Sequence, residues 1–314
     1  MAIKKEIWAK YIVGNLFKGA EFMNFCKRAD EFVLQGAVVH IQQAGAKPTV
    51  IKNRSTLPAS ILKRTDTDIV YLLDEYTSDP TLIANAEKYE ESPEKLASVL
   101  DEHVQAIRES IGDDLIFNWL AGFAASGVGS PSSAIAAATV IRTTGGNVAA
   151  HMPAATGNRK LFLKEDLQAA RTLMNKRNIS KEDRYVLMSS DMLDQLMQDP
   201  DLKKRDAALE LDMKNGVIAR LYGFNILERS YVATYDNATT PVIKAVGAAG
   251  AATDNDVVLC WQKNEVEFAL GTVNVFDETD RPEYYGDIYS ALVRAGGRKT
   301  RKGAEGVIAI VQGV

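Results

Sequence analysis

Apolar positions along this chain fall into several regimes, and the clearest is helical. Leu96, Leu100, Val104, Ile107, Ile111, Leu115 and Trp119 recur every three or four residues, which draws one apolar stripe along a helix. Ser92 supplies an N-cap, Pro93 suits the first turn, and Glu94 complements the positive end. Gly127, Gly129 and Pro131 close the pattern with residues that continue a helix poorly. The spacing therefore predicts a rod over residues 92–125, roughly 50 Å long at 1.5 Å per residue. Such a rod is a spine on which the other elements hang.

Strand-type patterning flanks it. Val38-Val39-His40-Ile41 and Ile69-Val70-Tyr71-Leu72-Leu73 are rich in β-branched and aromatic residues and read as a strand and its return. Between them, residues 43–68 carry five large apolar side chains, Val50, Ile51, Leu57, Ile61 and Leu62, among Lys47, Lys52, Arg54, Lys63 and Arg64. That little apolar area cannot offset the entropy of fixing so many residues. A long two-stranded excursion is also marginal in water. The segment needs a partner, and a neighbouring copy of the chain is the natural one.

The N-terminal stretch places Ile7, Trp8, Tyr11 and Ile12 on one side of an amphipathic helix, followed by Phe17, Phe22, Phe25 and Phe32. It reads either as a first helix on its own core or as an arm that reaches a neighbouring subunit. Beyond the spine, residues 126–157 are rich in Ala, Gly, Ser and Thr and read as a loop with a short helix around 133–141. An α/β alternation follows, with a helix over 164–176, a strand over 185–188, and a helix over 190–198 capped by Ser190 and stopped by Pro200. A charged helix from Asp201 to about Lys214 ends at Gly216, and residues 217–221 and 224–227 approach a sheet. The final part is β-rich. Residues 257–261, 266–276, 289–294 and 306–311 read as strands, with a charged turn over 277–287.

Composition narrows the function classes. The chain has 314 residues, of which 46% are apolar, enough to bury a sizeable core. A net charge of -4 with both signs interspersed gives no general basic face for sequence-specific nucleic-acid reading. The N-terminal lysines precede no apolar run of signal-peptide type, and the longest weakly polar stretch is too short for a bilayer. The chain reads as a soluble protein with no membrane partner. Cys26 and Cys260 lack metal-type spacing and read as small buried residues in a reducing compartment, although sequence alone leaves a disulfide open.

Candidate chemistry is sparse. His40, His103 and His151 stand apart from one another without ligand-type neighbours. Gly145-Gly146 lacks the Lys-Ser or Lys-Thr successor of a phosphate loop. Ser189-Ser190 reads as a helix cap, and Asp113-Asp114 and Asp254 with Asp256 read as solvated carboxylates. No catalytic, cofactor or metal residue is assigned. One basic run, Arg294, Arg298, Lys299, Arg301 and Lys302, faces two readings: phosphate contact, or pairing with the acidic turn Asp277, Glu278, Asp280 and Glu283 of another copy, in which Arg281 also lies. Opposite runs in one chain favour the second.

The order of elements resembles the major capsid proteins of tailed bacteriophages, the Hong Kong 97 capsid fold that encapsulins share in looser form. Val38-Val39-His40-Ile41 at the head of the extended loop, the Pro93-initiated spine, Gly223-Phe224-Asn225-Ile226-Leu227 with Ser230, and Gly286-Asp287-Ile288 leading to a strand that ends near Gly306-Val307-Ile308 carry the likeness. It implies an α+β fold with an N-terminal arm (1–35), an extended hairpin loop (36–77), a peripheral domain with the spine (78–125 and 257–314) and an axial domain (126–256). It further implies pentamers and hexamers in an icosahedral shell around double-stranded DNA, touched without sequence preference, and a virion location. A separate scaffolding protein and a portal are the expected partners. Lys47, Lys52, Arg54, Leu57, Lys63, Arg64, Asp277, Glu278, Arg281, Glu283, Arg298, Lys299 and Arg301 are the expected contacts between subunits. No covalent crosslink is expected, because no asparagine or glutamate here matches the pattern some relatives use with a loop lysine. An encapsulin-like cargo shell and a soluble α/β enzyme are the alternatives.

Overall fold

The computed structural model describes residues 12, 20–33, 38–43, 48–55, 57–58, 61, 63, 66–84, 94–123, 131–132, 139–198, 219–239, 241–301 and 303–314. The N-terminal residues 7, 8, 11 and 17, the Ser92-Pro93 cap, residues 133–138 of the short helix expected over 133–141 and the charged helix over 201–214 lie outside them. The predicted hairpin is present: β1 (Val38–Gln43) and β2 (Thr67–Leu72) pair antiparallel from Val38 opposite Leu72 to Gln43 opposite Thr67. Then come β3 (Asp74–Thr77), β4 (Thr81–Ala84) and the spine, α1 (Glu94–Leu120).

After the spine the chain gives β5 (Val140–Arg142), β6 (Asn147–Ala149), β7 (Asn158–Lys160), α2 (Lys164–Lys176), β8 (Arg184–Ser189) and α3 (Ser190–Met197). The last stretch holds β9 (Ala219–Leu221), β10 (Phe224–Arg229), β11 (Thr234–Tyr235), β12 (Asn255–Gln262), β13 (Val266–Arg281), β14 (Gly286–Lys299) and β15 (Val307–Val311). One sheet runs β9-β10-β8-β12-β15-β5, with β11 on β12. The other joins residues 27–28, β13, β14 and β3, with β4 also on β14.

Strand parity sorts the interior into two cores. On β12, Val257, Leu259 and Trp261 face the spine side, and Val258 and Cys260 face α2 and α3. Tyr185 and Leu187 against Val186 and Met188 on β8, and Val307, Ala309 and Val311 against Ile308 and Ile310 on β15, divide in the same way. A sheet covered on both faces needs such unbroken apolar runs. Both cysteines are free and buried, as read, and burial pushes the Cys26 thiol up to about 12.

Several assignments depart from the sequence reading. Strands 257–261 and 306–311, assigned to the peripheral part, hydrogen bond into the sheet of the α/β lobe instead, β12 between β8 and β15. Val140 and Ile141, expected at the end of a short helix, form strand β5 on β15. The cap of α3 is Ser189, whose hydroxyl accepts from the Met192 N–H at 3.3 Å, one residue before the serine expected. The charged turn over 277–287 is mostly strand, because β13 continues to Arg281 and β14 resumes at Gly286.

The spine ends at Leu120, five residues early, and so spans about 40 Å. Its last turn meets cations from far along the chain: Lys299 Nζ donates a short hydrogen bond to the Ala121 carbonyl, and Arg298 Nη2 donates to Gly122 O at 3.4 Å. Positive charge at a helix C-terminus is favourable, while Gly122-Phe123 pairs with Pro131-Ser132 and turns away. The spine packs directly on β14 through Gly297. A Cβ there would lie 2.3 Å from Leu115 Cδ1 and 2.4 Å from the Glu267 carbonyl oxygen. Gly297→Ala is therefore expected to cost about 1–3 kcal/mol of unfolding free energy, the range for overpacking. Denaturant titration would register it, and an unchanged midpoint would show that helix and strand are not in close contact.

Candidate assembly interface

Two regions project apolar or charged side chains away from these cores. The first is the excursion between β1 and β2. Val50 is 91% exposed, Ile61 96%, Leu57 78% and Ile51 52%, although each is large and apolar. Lys52, Arg54 and Lys63 are exposed beside them, and Lys47 and Arg64 lie outside the described residues. The base of the same hairpin is buried: Val39, Ile41, Ile69 and Tyr71 pack with Ala29, Leu73 and Ala269 in a small third core. A firmly held base thus carries apolar side chains that this chain leaves uncovered.

The second is the far end of the β13–β14 ribbon, with Phe276, Tyr284 and Tyr285 exposed. Glu278 and Glu283 are exposed there, Asp277 and Arg281 are half-buried, and Arg281 contacts Glu278. The basic run at the other end of β14 is not the open patch its sequence suggested. Arg298 and Lys299 are buried against the end of the spine, and burial pushes the Lys299 amine down to about 8. Arg301 pairs with Glu265 at 3.0 Å and Arg294 with Glu75 at 2.7 Å. The outward charge of this run is largely answered within the chain.

A third feature escaped the sequence reading. Asp254 and Asp256, taken for solvated carboxylates, are 4% and 2% exposed and border a cavity of about 540 Å³. Asp256 accepts from the His151 Nε2 at 3.0 Å, from the Val257 N–H at 2.7 Å and from the Ser189 hydroxyl. Asp254 accepts from Lys244 Nζ at 2.8 Å, and Arg159 donates to the carbonyls of Ala252 and Asp254 at 3.0 and 3.1 Å. These bonds fasten the Gly/Ala-rich loop around 245–254, whose one large apolar side chain, Val246, is exposed. The Ser189 hydroxyl is committed to Asp256 and to its helix. Asp113 and Asp114, likewise read as solvated, pair with Arg229 at 2.6 Å and with the Tyr76 hydroxyl at 2.9 Å.

The hydrogen bond to Asp256 raises the His151 pKa, outweighing burial, which lowers it. Its stabilising contribution is therefore full below the unfolded histidine value of about 6.5 and fades as pH rises through the higher folded value. His151→Gln is expected to cost about 1–2 kcal/mol at pH 5.5, the worth of a charge-assisted bond, and less at pH 8.5. Melting curves at the two pH values check it, and an equal loss at both would show that the imidazole charge is not involved.

The profile of the family described as phage capsid protein matches residues 104–311. No curated protein sequence matches. Among solved structures, a chain from Mycobacterium phage Che8 superposes with a TM-score of 0.59 at 16% identity, covering 92% of this chain and 90% of its own length. The capsid of Ralstonia phage GP4 gives 0.61 at 13% identity, with 92% and 87% covered. The mature capsid of bacteriophage PhiM1 gives 0.60 at 12% identity, with 92% and 86% covered. At identities this low, the likeness establishes a shared fold.

Proposed function

The chain belongs to the phage capsid protein family, and from that membership we propose that its copies close into pentamers and hexamers of an icosahedral shell around double-stranded DNA. It is a major capsid protein and a component of the virion, which sets aside the cargo-compartment alternative. Its role is structural. The observation that carries the shell reading is the set of uncovered apolar side chains, Val50, Ile51, Leu57 and Ile61, on a hairpin whose base is buried. A neighbouring subunit is the surface on which they become covered, with Lys52, Arg54 and Lys63 choosing among partners by charge.

Shell assembly needs no single strong contact. Each copy touches several neighbours, and linked weak contacts gain roughly a hundred- to ten-thousandfold in avidity, while closed rings fix the geometry. The ribbon tip with Glu278 and Glu283, and the N-terminal arm, supply further contacts in this reading. A separate scaffolding protein, a portal and sequence-independent contact with DNA complete it. Electron microscopy of the concentrated full chain, alone and with a scaffold encoded beside it, tests the proposal. Closed shells are expected in at least one condition, and a chain that remains monomeric in both would overturn it.

A further inference from the structure

A second pocket lies at the end of β8 opposite Ser189, about 420 Å³ in volume and lined by Arg171, Asn175, Lys181, Arg184, Tyr222 and Gly223. Three of these six residues are cationic and none is acidic. Arg184, at the start of β8, is 2% exposed. Its Nε donates to Ser180 O at 2.6 Å and its Nη2 to Ile179 O at 2.8 Å, and Nη1 makes no hydrogen bond among the described residues. Arg171 reaches over from α2, and its Nε is buried without a hydrogen-bond partner among the described residues. Lys181 is exposed and has no ion pair among the described residues.

The turn that closes the pocket is unusual. Tyr222 and Gly223 join β9 to β10 with φ of +52° and +84°. Two positive φ values suit the hairpin turns in which Asn-Gly is favoured, and a bulky residue at the first position is strained. The tyrosine sets its ring beneath the Arg171 guanidinium, 5.6 Å from centroid to carbon, which holds that cation over the pocket. Burial lowers the Arg184 pKa, and the like charge of Arg171 lowers it further. Two guanidinium groups are therefore held together with no carboxylate lining the site, an arrangement that costs stability until an anion enters.

We propose that this pocket binds a phosphate group, either free inorganic phosphate or a phosphodiester of a nucleic-acid backbone. A planar carboxylate is best met by one guanidinium fork. Here, however, the donors Arg171 Nε, Arg184 Nη1, Lys181 Nζ and the Asn175 amide come from a helix, a strand and the loop between them. Several donors from separate segments suit an oxyanion with three or four acceptor oxygens. Such binding would belong to the single chain and would not depend on shell formation.

The test uses the full chain, titrated calorimetrically with inorganic phosphate at fixed ionic strength, and in parallel with a short DNA duplex at several salt concentrations. Arg171→Gln and Lys181→Gln are the variants, since Arg184 also ties down residues 179–180 and is left intact; melting curves confirm their folding. Saturable phosphate binding is expected, weakened about tenfold or more in Arg171→Gln, as for loss of a charge-assisted bond. If the double variant also lowers the salt slope of DNA binding by about one to two, the phosphate comes from a nucleic acid; unchanged DNA binding with weakened phosphate binding assigns the site to the free anion. Absence of saturable phosphate binding, or binding equal in wild type and variants, overturns the proposal. So does a phosphate-blind protein whose variants alter only self-association, which would give the pocket to a carboxylate of another copy.

Discussion

Replacing Trp119 by alanine is expected to remove about 3–5 kcal/mol of unfolding free energy, the range for deleting a buried large aromatic side chain. Trp119 is fully buried where the spine crosses both sheets. Its ring meets Phe22 edge-on at 6.1 Å and tilts against Trp261 at 5.7 Å. Trp261 stacks in turn on Tyr185, and Tyr185 on Phe25 at 4.4 Å. One aromatic chain thus ties the spine, the α/β sheet and the segment before β1. The indole N–H also donates to the Glu267 carbonyl at 3.2 Å, and truncation removes that hydrogen bond, a further cost. Because whole domains hold only about 5–15 kcal/mol, the variant should unfold at much lower urea and lose near-ultraviolet dichroism. Trp119→Phe, which keeps most of the apolar area, should lose less than half as much. A loss below about 1 kcal/mol in the alanine variant would mean that the aromatic chain does not tie the spine to the α/β sheet.

Much of the fold was legible in the sequence because its signals are local. The helix over 164–176 was read to the residue, since Leu167, Ala170 and Met174 mark one buried face and Lys176 suits its end. Strand 257–261 was found, but not its sheet. An apolar run buried on both faces shows no alternation, so nothing local says which neighbours it joins. The spine was read too long because apolar and small residues continue past Trp119, while its stop is set by Lys299 and Arg298, nearly two hundred positions away in sequence. That same pairing explains why the basic run misled. Arginine and lysine in a strand read as surface, and only the fold shows the helix end they cap.

The polar sites were the least legible part. Asp254 and Asp256 stand in a stretch of Ala and Gly that resembles a solvated loop, yet Lys244, Arg159 and His151 converge on that stretch from separate segments. Buried charge is tolerated only with such partners, and sequence gives no distance between them. Tyr222 carried a usable signal: Tyr-Gly stands where Asn-Gly is expected between two short strands.

Deleting residues 43–66, or replacing Val50, Ile51, Leu57 and Ile61 together by serine, is expected to abolish shells while leaving the chain folded. The folded chain gains little from these four side chains, because water already reaches most of each, and exposed substitutions usually move stability by less than about 0.5 kcal/mol. Covered by a neighbour, each would contribute up to about 1.5–3 kcal/mol. That is decisive for an interface whose strength comes from repetition, because every subunit loses the same contact and the loss multiplies through linked neighbours. The serine variant separates this from any disturbance of the hairpin, since β1 and β2 keep their pairing and their buried base. Circular dichroism and melting should match the wild type, and sedimentation and electron microscopy should show only small species. Lys52→Ser with Arg54→Ser should act more weakly and make assembly less salt-sensitive, because exposed charges steer association more than they hold it. Normal particles from the fourfold serine variant would remove the hairpin from the assembly mechanism and leave the ribbon tip and the N-terminal arm to carry it.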